Sequence, residues 1–300
     1  MSALDLAGLR ETRAVNPAAI AEALASRARR PLLQGDNRLL LIAADHPGRG
    51  ALAVGADPRA MADRTELLAR LVVALARPGV DGMLATPDII DDLALLGALD
   101  GKVVVGSMNR GGLRGAAFEM DDRFTGYDVA GAVASGLDAA KLLLRVNLAD
   151  PATAPTLESA AGAVGQAASA RLPIMLEPFL SEWRDGAIVN DLSTDAVIRS
   201  IAIASALGTS SAYSWMKLPV VPEMERVMAA TTLPTLLLGG DPNAQPDEVY
   251  ASWAAALAQP GVRGLVVGRT LLYPRGGDVA SAVDSAAGLV HGAAATSRPA

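Results

Sequence analysis

The sequence contains no cysteine, which removes disulfides, thiolate metal sites and cysteine nucleophiles at once. Histidine is nearly as scarce, with only His46 and His291. One chain therefore cannot assemble a three-histidine zinc site, nor a helical His-Glu-x-x-His motif, whose two histidines lie four apart. No apolar run approaches the roughly 20 residues of a membrane-spanning helix. Segment 1–31 is alanine-rich and interrupted by Asp5, Arg10, Glu11, Arg13 and Glu22, so it lacks the basic-then-apolar order of a secretory signal. A cytoplasmic protein without membrane contact is expected. An excess of positive charge is missing too. Lys and Arg number 26 against 32 Asp and Glu, a net charge of -6. That balance argues against nucleic acid as a partner and still leaves room for a local basic pocket.

What remains is a chain of 300 residues, 51% hydrophobic and 19% charged, long enough to bury a large core. No composition break or polar linker divides it, so residues 1–300 are expected to form one domain. Eight short runs rich in Val, Leu and Ile recur: 39–44, 82–85, 103–106, 141–146, 174–177, 212–217, 235–238 and 264–267. Most are apolar at nearly every position, as in parallel strands covered on both faces. Alanine-rich stretches with helix signals lie between them. Asp57-Pro58 reads as the start of a helix running to Arg77, Thr86-Pro87 as the start of the next, and Gln245-Pro246 as that of another. Gly136, Gly208 and Gly261 fall where helices should stop. Eight alternating units predict a (β/α)8 barrel, with an extra helix from about Leu4 to Arg29 placed to cap its bottom. An open doubly wound sheet is the alternative, but Asp45-His46-Pro47-Gly48-Arg49-Gly50 lacks the Gly-x-Gly-x-x-Gly spacing expected after its first strand.

In such a barrel, polar residues at strand C-termini are the functional candidates. Here they are Asp45 after strand one, Lys141 and Arg145 on strand four, Glu177 on strand five, Lys217 on strand six, Gly239-Gly240 after strand seven and Gly268-Arg269 after strand eight. Lys217 stands out, because an ammonium in an apolar strand is costly to bury. It either snorkels to solvent or serves as an amine. A second lysine, Lys141, pointing into the same lumen would favour the uncharged form, which attacks ketones. Glu177 either pairs with a lysine or shuttles protons. Asp45 orients a substrate hydroxyl or caps a loop. The two glycine turns allow close backbone approach to a phosphate, and Arg269 adds charge or braces the rim. Trp215 shares a strand face with Lys217, while His46, next to Asp45, is expected to point away into packing, with contact to substrate as the lesser alternative. His291 is read as structural or exposed.

Taken in order, Ala44-Asp45-His46, Lys141-Leu142-Leu143-Leu144, Leu176-Glu177-Pro178, Trp215-Met216-Lys217-Leu218-Pro219, Leu238-Gly239-Gly240 and Val267-Gly268-Arg269-Thr270 resemble the class I, Schiff-base aldolases of the DeoC/LacD group. That group includes the tagatose-bisphosphate and archaeal-type fructose-bisphosphate aldolases. The resemblance spans about Leu39 to Pro274. It implies a Schiff-base role for Lys217, proton transfer by Glu177, a supporting role for Lys141, hydroxyl contact by Asp45 and phosphate binding at Gly239, Gly240, Gly268 and Arg269. It further implies a phosphorylated ketose or keto sugar acid as substrate, in inositol or other sugar catabolism, no cofactor, no metal and a homo-oligomer. Related aldolases often carry tyrosine near the end of strand four, where this chain has Arg145-Val146-Asn147. Arg145 thus becomes a candidate for an extra negative charge on the substrate. The basic loop Ser107–Arg114, with Arg110 within it, reads either as solvated or as a clamp for a carboxylate or second phosphate. Two other functions stay open. One is a magnesium-dependent barrel lyase using Asp45, Glu177 and Asp241, which purification with bound metal would mark. The other is a non-catalytic sugar-phosphate-binding protein, which tight binding without turnover would mark.

Overall fold

The computed structural model describes residues 5–109, 112–240 and 245–292. Its strands are β1 (Leu39–Ala44), β2 (Gly82–Ala85), β3 (Val103–Ser107), β4 (Ala139–Val146), β5 (Ile174–Arg184), β6 (Ala187–Asn190), β7 (Ser214–Leu218), β8 (Thr235–Leu238) and β9 (Val262–Val267). All but β6 are joined in parallel, and β1 pairs with both β2 and β9. The sheet therefore closes on itself as an eight-stranded (β/α)8 barrel, as the alternation of runs predicts. The unanticipated strand is β6. It folds back antiparallel on the far end of β5 through Asp185-Gly186, with φ of 51° and 74°. Two left-handed residues make the turn that matches strand twist in a two-residue hairpin.

Strand alternation sorts the core into two layers. Leu39, Leu41, Ala43, Val103, Val105, Met175, Trp215, Leu236 and Val266 fill the lumen. Their neighbours Leu40, Ile42, Val104, Ile174, Leu176, Met216 and Leu237 pack outward in a second cluster that includes the helices. Both layers are dry, which is why the strands read as unbroken apolar runs. Glycine appears where strands crowd. A β-carbon on Gly264, at φ 136°, would lie 1.9 Å from the Leu39 carbonyl oxygen.

Two helix expectations need correction. The N-terminal helix is two helices, Leu6–Val15 and Ala18–Ser26, because Pro17 has no amide to continue the first. The helix assigned to begin at Asp57-Pro58 begins at Arg64. There Asp63 caps it by accepting from the Glu66 amide at 3.0 Å, whereas Asp57 is used in a bridge to Val54. Helices Pro87–Leu95 and Pro246–Leu257 start where expected, and Gly136, Gly208 and Gly261 all take positive φ. Among the described residues no helix is long and apolar enough to cross a membrane.

The bottom of the barrel is covered by the segment after the second helix. Arg27 and Arg29 both bind Asp138, at 2.7 and 2.8 Å, just ahead of β4. Arg30 binds Asp81 at 2.6 Å, ahead of β2, and Leu32 and Leu33 pack onto the lumen cluster. His291, at the end of the last helix Val279–His291, joins this floor. Its ring nitrogens lie 2.8 Å from Asp36 and 3.1 Å from Asp81. Burial alone pulls His291 down, but the hydrogen bonds and charges of Asp81 and Asp36 outweigh it and hold the imidazole above 6.5. A raised folded value contributes stability that is complete below the unfolded pKa and is lost as pH rises through the folded one. Thermal melts of the wild type and His291→Gln at pH 6 and pH 8 should therefore show a larger gap at pH 6; an equal gap would refute the linkage.

Candidate active site

The inward parity of the strands carries on past the apolar layers. Ala43 is followed by Asp45, Ala139 by Lys141 then Leu143 and Arg145, Met175 by Glu177 then Phe179, and Trp215 by Lys217, each two residues further along. The charged side chains therefore converge at the C-terminal mouth. Lys217, Glu177, Lys141 and Asp45 are 4%, 7%, 0% and 0% exposed, so Lys217 does not snorkel to the surface.

Glu177 sits between the two lysines. Its Oε1 accepts from Lys217 Nζ at 2.8 Å, and its Oε2 pairs with Lys141 Nζ. Lys141 reaches on to Asp45 Oδ2 at 3.2 Å, which also accepts from Ser107 Oγ at 3.4 Å. The result is an unbroken alternation of cation and anion, Lys217–Glu177–Lys141–Asp45. Charges this deep are tolerated only when each is paired closely, because leaving water costs several kcal/mol per ion. The alternation also bears on a divalent metal. The two carboxylates that would ligate one are bridged by the Lys141 ammonium, and Asp241 lies outside the described residues. Among the described residues no group of three or more His, Asp or Glu is arranged to hold an ion.

A cavity of about 350 Å³ opens above this chain and reaches Glu177 and Lys217. Its rim carries Arg49, Arg114 and Arg269, and its wall Phe179 and the hairpin residues Ile188 and Asn190. The glycine turns are placed as expected but are only partly available. The Gly239 amide donates to the Val266 carbonyl at 3.2 Å. Gly268 is required for packing, since a β-carbon there would stand 2.4 Å from the Ala43 oxygen. Gly240 ends the described part of that loop, and Arg110 lies outside the described residues.

Arg145 faces the lumen, but its guanidinium is committed within the protein. It pairs with Asp122 at 2.6 Å and donates to the Glu119 carbonyl. Asn109 adds a second tie. It donates to the Asp122 and Leu143 carbonyls and accepts from the Leu143 amide, each at 2.6 Å. These contacts fasten the loop between β3 and β4 against β4, so Nε and Nη2 of Arg145 are spent on shaping the wall of the cavity it lines. His46 also departs from expectation. The chain turns after Asp45 into a short 3₁₀ segment, His46–Arg49, so strand alternation ends there. His46 then lines the cavity, with Nδ1 3.7 Å from Asp45 Oδ1. Reading strand ends alone passes over Glu119, Asp122 and the hairpin. The Asp185-Gly186 pair was the available signal for the last.

A closed parallel barrel with buried lysines and carboxylates gathered at its C-terminal mouth defines a (β/α)8 protein with an enzyme-like site. Residues 37–287 match the family model described as Cgl0159-like, and the chain belongs to the Cgl0159-like family. The crystal structure of Cgl0159 from Corynebacterium glutamicum (Brevibacterium flavum) is 65% identical over 95% of this chain and 96% of that one, with a TM-score of 0.93. An archaeal fructose 1,6-bisphosphate aldolase is 19% identical over 91% of this chain and 99% of its own, at a TM-score of 0.65. A Schiff base-forming fructose-1,6-bisphosphate aldolase is 20% identical over 91% and 100%, at 0.62. At such identities the likeness is one of fold, and it gives no assignment within the DeoC/LacD group. No curated protein matches the chain.

Proposed function

We propose that the protein is a class I aldolase that makes or breaks a carbon–carbon bond of a phosphorylated ketose or keto sugar acid through a Schiff base on Lys217. The observation that carries this reading is the 2.8 Å contact between a buried Lys217 Nζ and Glu177 Oε1, with Lys141 on the other carboxylate oxygen. The contact is short enough for direct proton transfer. Lys217 passes a proton to Glu177 and attacks the ketone carbon as the free amine. The carbinolamine hydroxyl then takes a proton from Glu177 and leaves as water, giving the iminium. Glu177, again a carboxylate, accepts the proton of the hydroxyl two carbons from the iminium carbon, directly or through water. The bond between that hydroxyl-bearing carbon and the carbon next to the iminium breaks, its electrons move into the iminium, and the aldehyde departs from the enamine. Protonation of the enamine carbon and attack by water on the resulting iminium free the second product and restore Lys217. Lys141 holds Glu177 and Asp45 in register throughout, and Arg269 at the rim meets the phosphate.

Borohydride reduction tests this directly. Incubation with dihydroxyacetone phosphate and borohydride should leave one reduced adduct, mapped by mass spectrometry to Lys217. Labelling confined to Lys141 or to surface lysines would move the chemistry elsewhere, and no adduct with any phosphorylated ketone or keto acid would end the proposal.

A further inference from the structure

Glu119 lies on the loop between β3 and β4, is 7% exposed, and reaches the cavity wall. One of its oxygens, Oε2, accepts from the Gly115 amide at 2.7 Å. The other, Oε1, is 3.6 Å from guanidinium nitrogens of both Arg49 and Arg145. That is close enough for attraction and too long for a hydrogen bond. Arg145 Nε and Nη2 are engaged by Asp122 and the Glu119 carbonyl, while its Nη1 stands 3.6 Å from the carboxylate without a hydrogen bond to it. Glu119 Oε1 thus keeps acceptor capacity beside the cavity.

Strand register sets the height of the Arg145 backbone, and the guanidinium Nη1 of Arg145 is 3.6 Å from Glu119 Oε1. Leu143 pairs with Glu177 and Arg145 with Phe179, so the layer of Arg145 lies two residues, about 7 Å, above the reacting layer. A sugar chain joined to Lys217 and extending toward the mouth passes this layer. A carboxylate there accepts from a hydroxyl.

We propose that Glu119 is a specificity-determining residue, its Oε1 accepting a hydrogen bond from a substrate hydroxyl a few carbons from the carbon attached to Lys217. Arg145 and Asp122 are positioning residues for it. The class of ligand rests on the aldolase reading, whereas the acceptor geometry does not. The probes are fructose 1-phosphate and its 5-deoxy and 6-deoxy analogues, with dissociation constants measured by titration calorimetry. The variant is Glu119→Gln, whose carbonyl can keep the Gly115 bond while its amide turns the acceptor into a donor. Wild type should bind fructose 1-phosphate about tenfold more tightly than one of the deoxy analogues, and Glu119→Gln should abolish that preference. Equal weakening for all three ligands, or none, overturns the proposal. Should Glu119→Gln melt early, Glu119→Asp keeps the charge, shortens the reach and should lose the same preference. Borohydride labelling of Lys217 in the same samples separates the two readings. Labelling without hydroxyl preference removes the role of Glu119 alone, and preference without labelling removes the Schiff base alone. Absence of binding by wild type removes the role of Glu119, while the Schiff base on Lys217 stands or falls on the dihydroxyacetone phosphate labelling.

Discussion

Lys217→Met is expected to lose all borohydride-trapped adduct and to cut kcat on the order of 10⁴- to 10⁶-fold, the scale seen when a covalent nucleophile is deleted. Methionine matches the length of the lysine stem, so the lumen stays filled and the fold should survive. Glu177 keeps Lys141 as its partner in the variant. The informative control is Lys217→Arg, which retains positive charge beside Glu177 and cannot condense with a carbonyl because its guanidinium stays protonated. If the cavity needs only a cation there, the arginine variant will turn over and the methionine variant will not. If the amine is the nucleophile, both will be inactive and neither will trap ketone.

Glu177→Gln carries the second large effect, with two readouts. Proton transfer by a placed carboxyl contributes about 10²- to 10⁴-fold, so kcat should fall by that factor while some adduct on Lys217 still accumulates. Slow adduct formation separates a proton shuttle from a nucleophile. The variant should also be less stable. Glu177 is the anion between two buried ammonium groups, and an amide leaves their repulsion unrelieved. Breaking a buried pair on one side costs about 3–5 kcal/mol, which differential scanning calorimetry would register as a lower Tm. A normal Tm together with normal kcat would show that Glu177 only fills space.

The sequence carried the barrel almost completely, for a physical reason. Strands such as Leu39–Ala44, Gly82–Ala85 and Thr235–Leu238 are dry on both faces, so they appear as unbroken apolar runs and their limits are visible. Polar residues that interrupt such runs near the C-terminal end must face the lumen mouth, which is how Asp45, Lys141, Glu177 and Lys217 became recognisable. Less legible were features fixed by distant partners. Arg145 looked free for an anion because Asp122, which holds it, lies 23 residues earlier in a loop without periodicity. His46 seemed to point outward because alternation was carried one residue too far, past the end of β1. The break at Pro17 was present in the sequence but hidden by the high helix propensity of the surrounding alanines.

The floor built by Arg27, Arg29, Arg30, Leu32 and Leu33 covers the lower end of the barrel. With the cavity opening at the other end, a reaction there that yields two fragments would release them through the mouth in sequence. The outer fragment, untethered, goes first. On the proposed Schiff-base reading the inner one, attached at 217, waits for the water that follows in behind it.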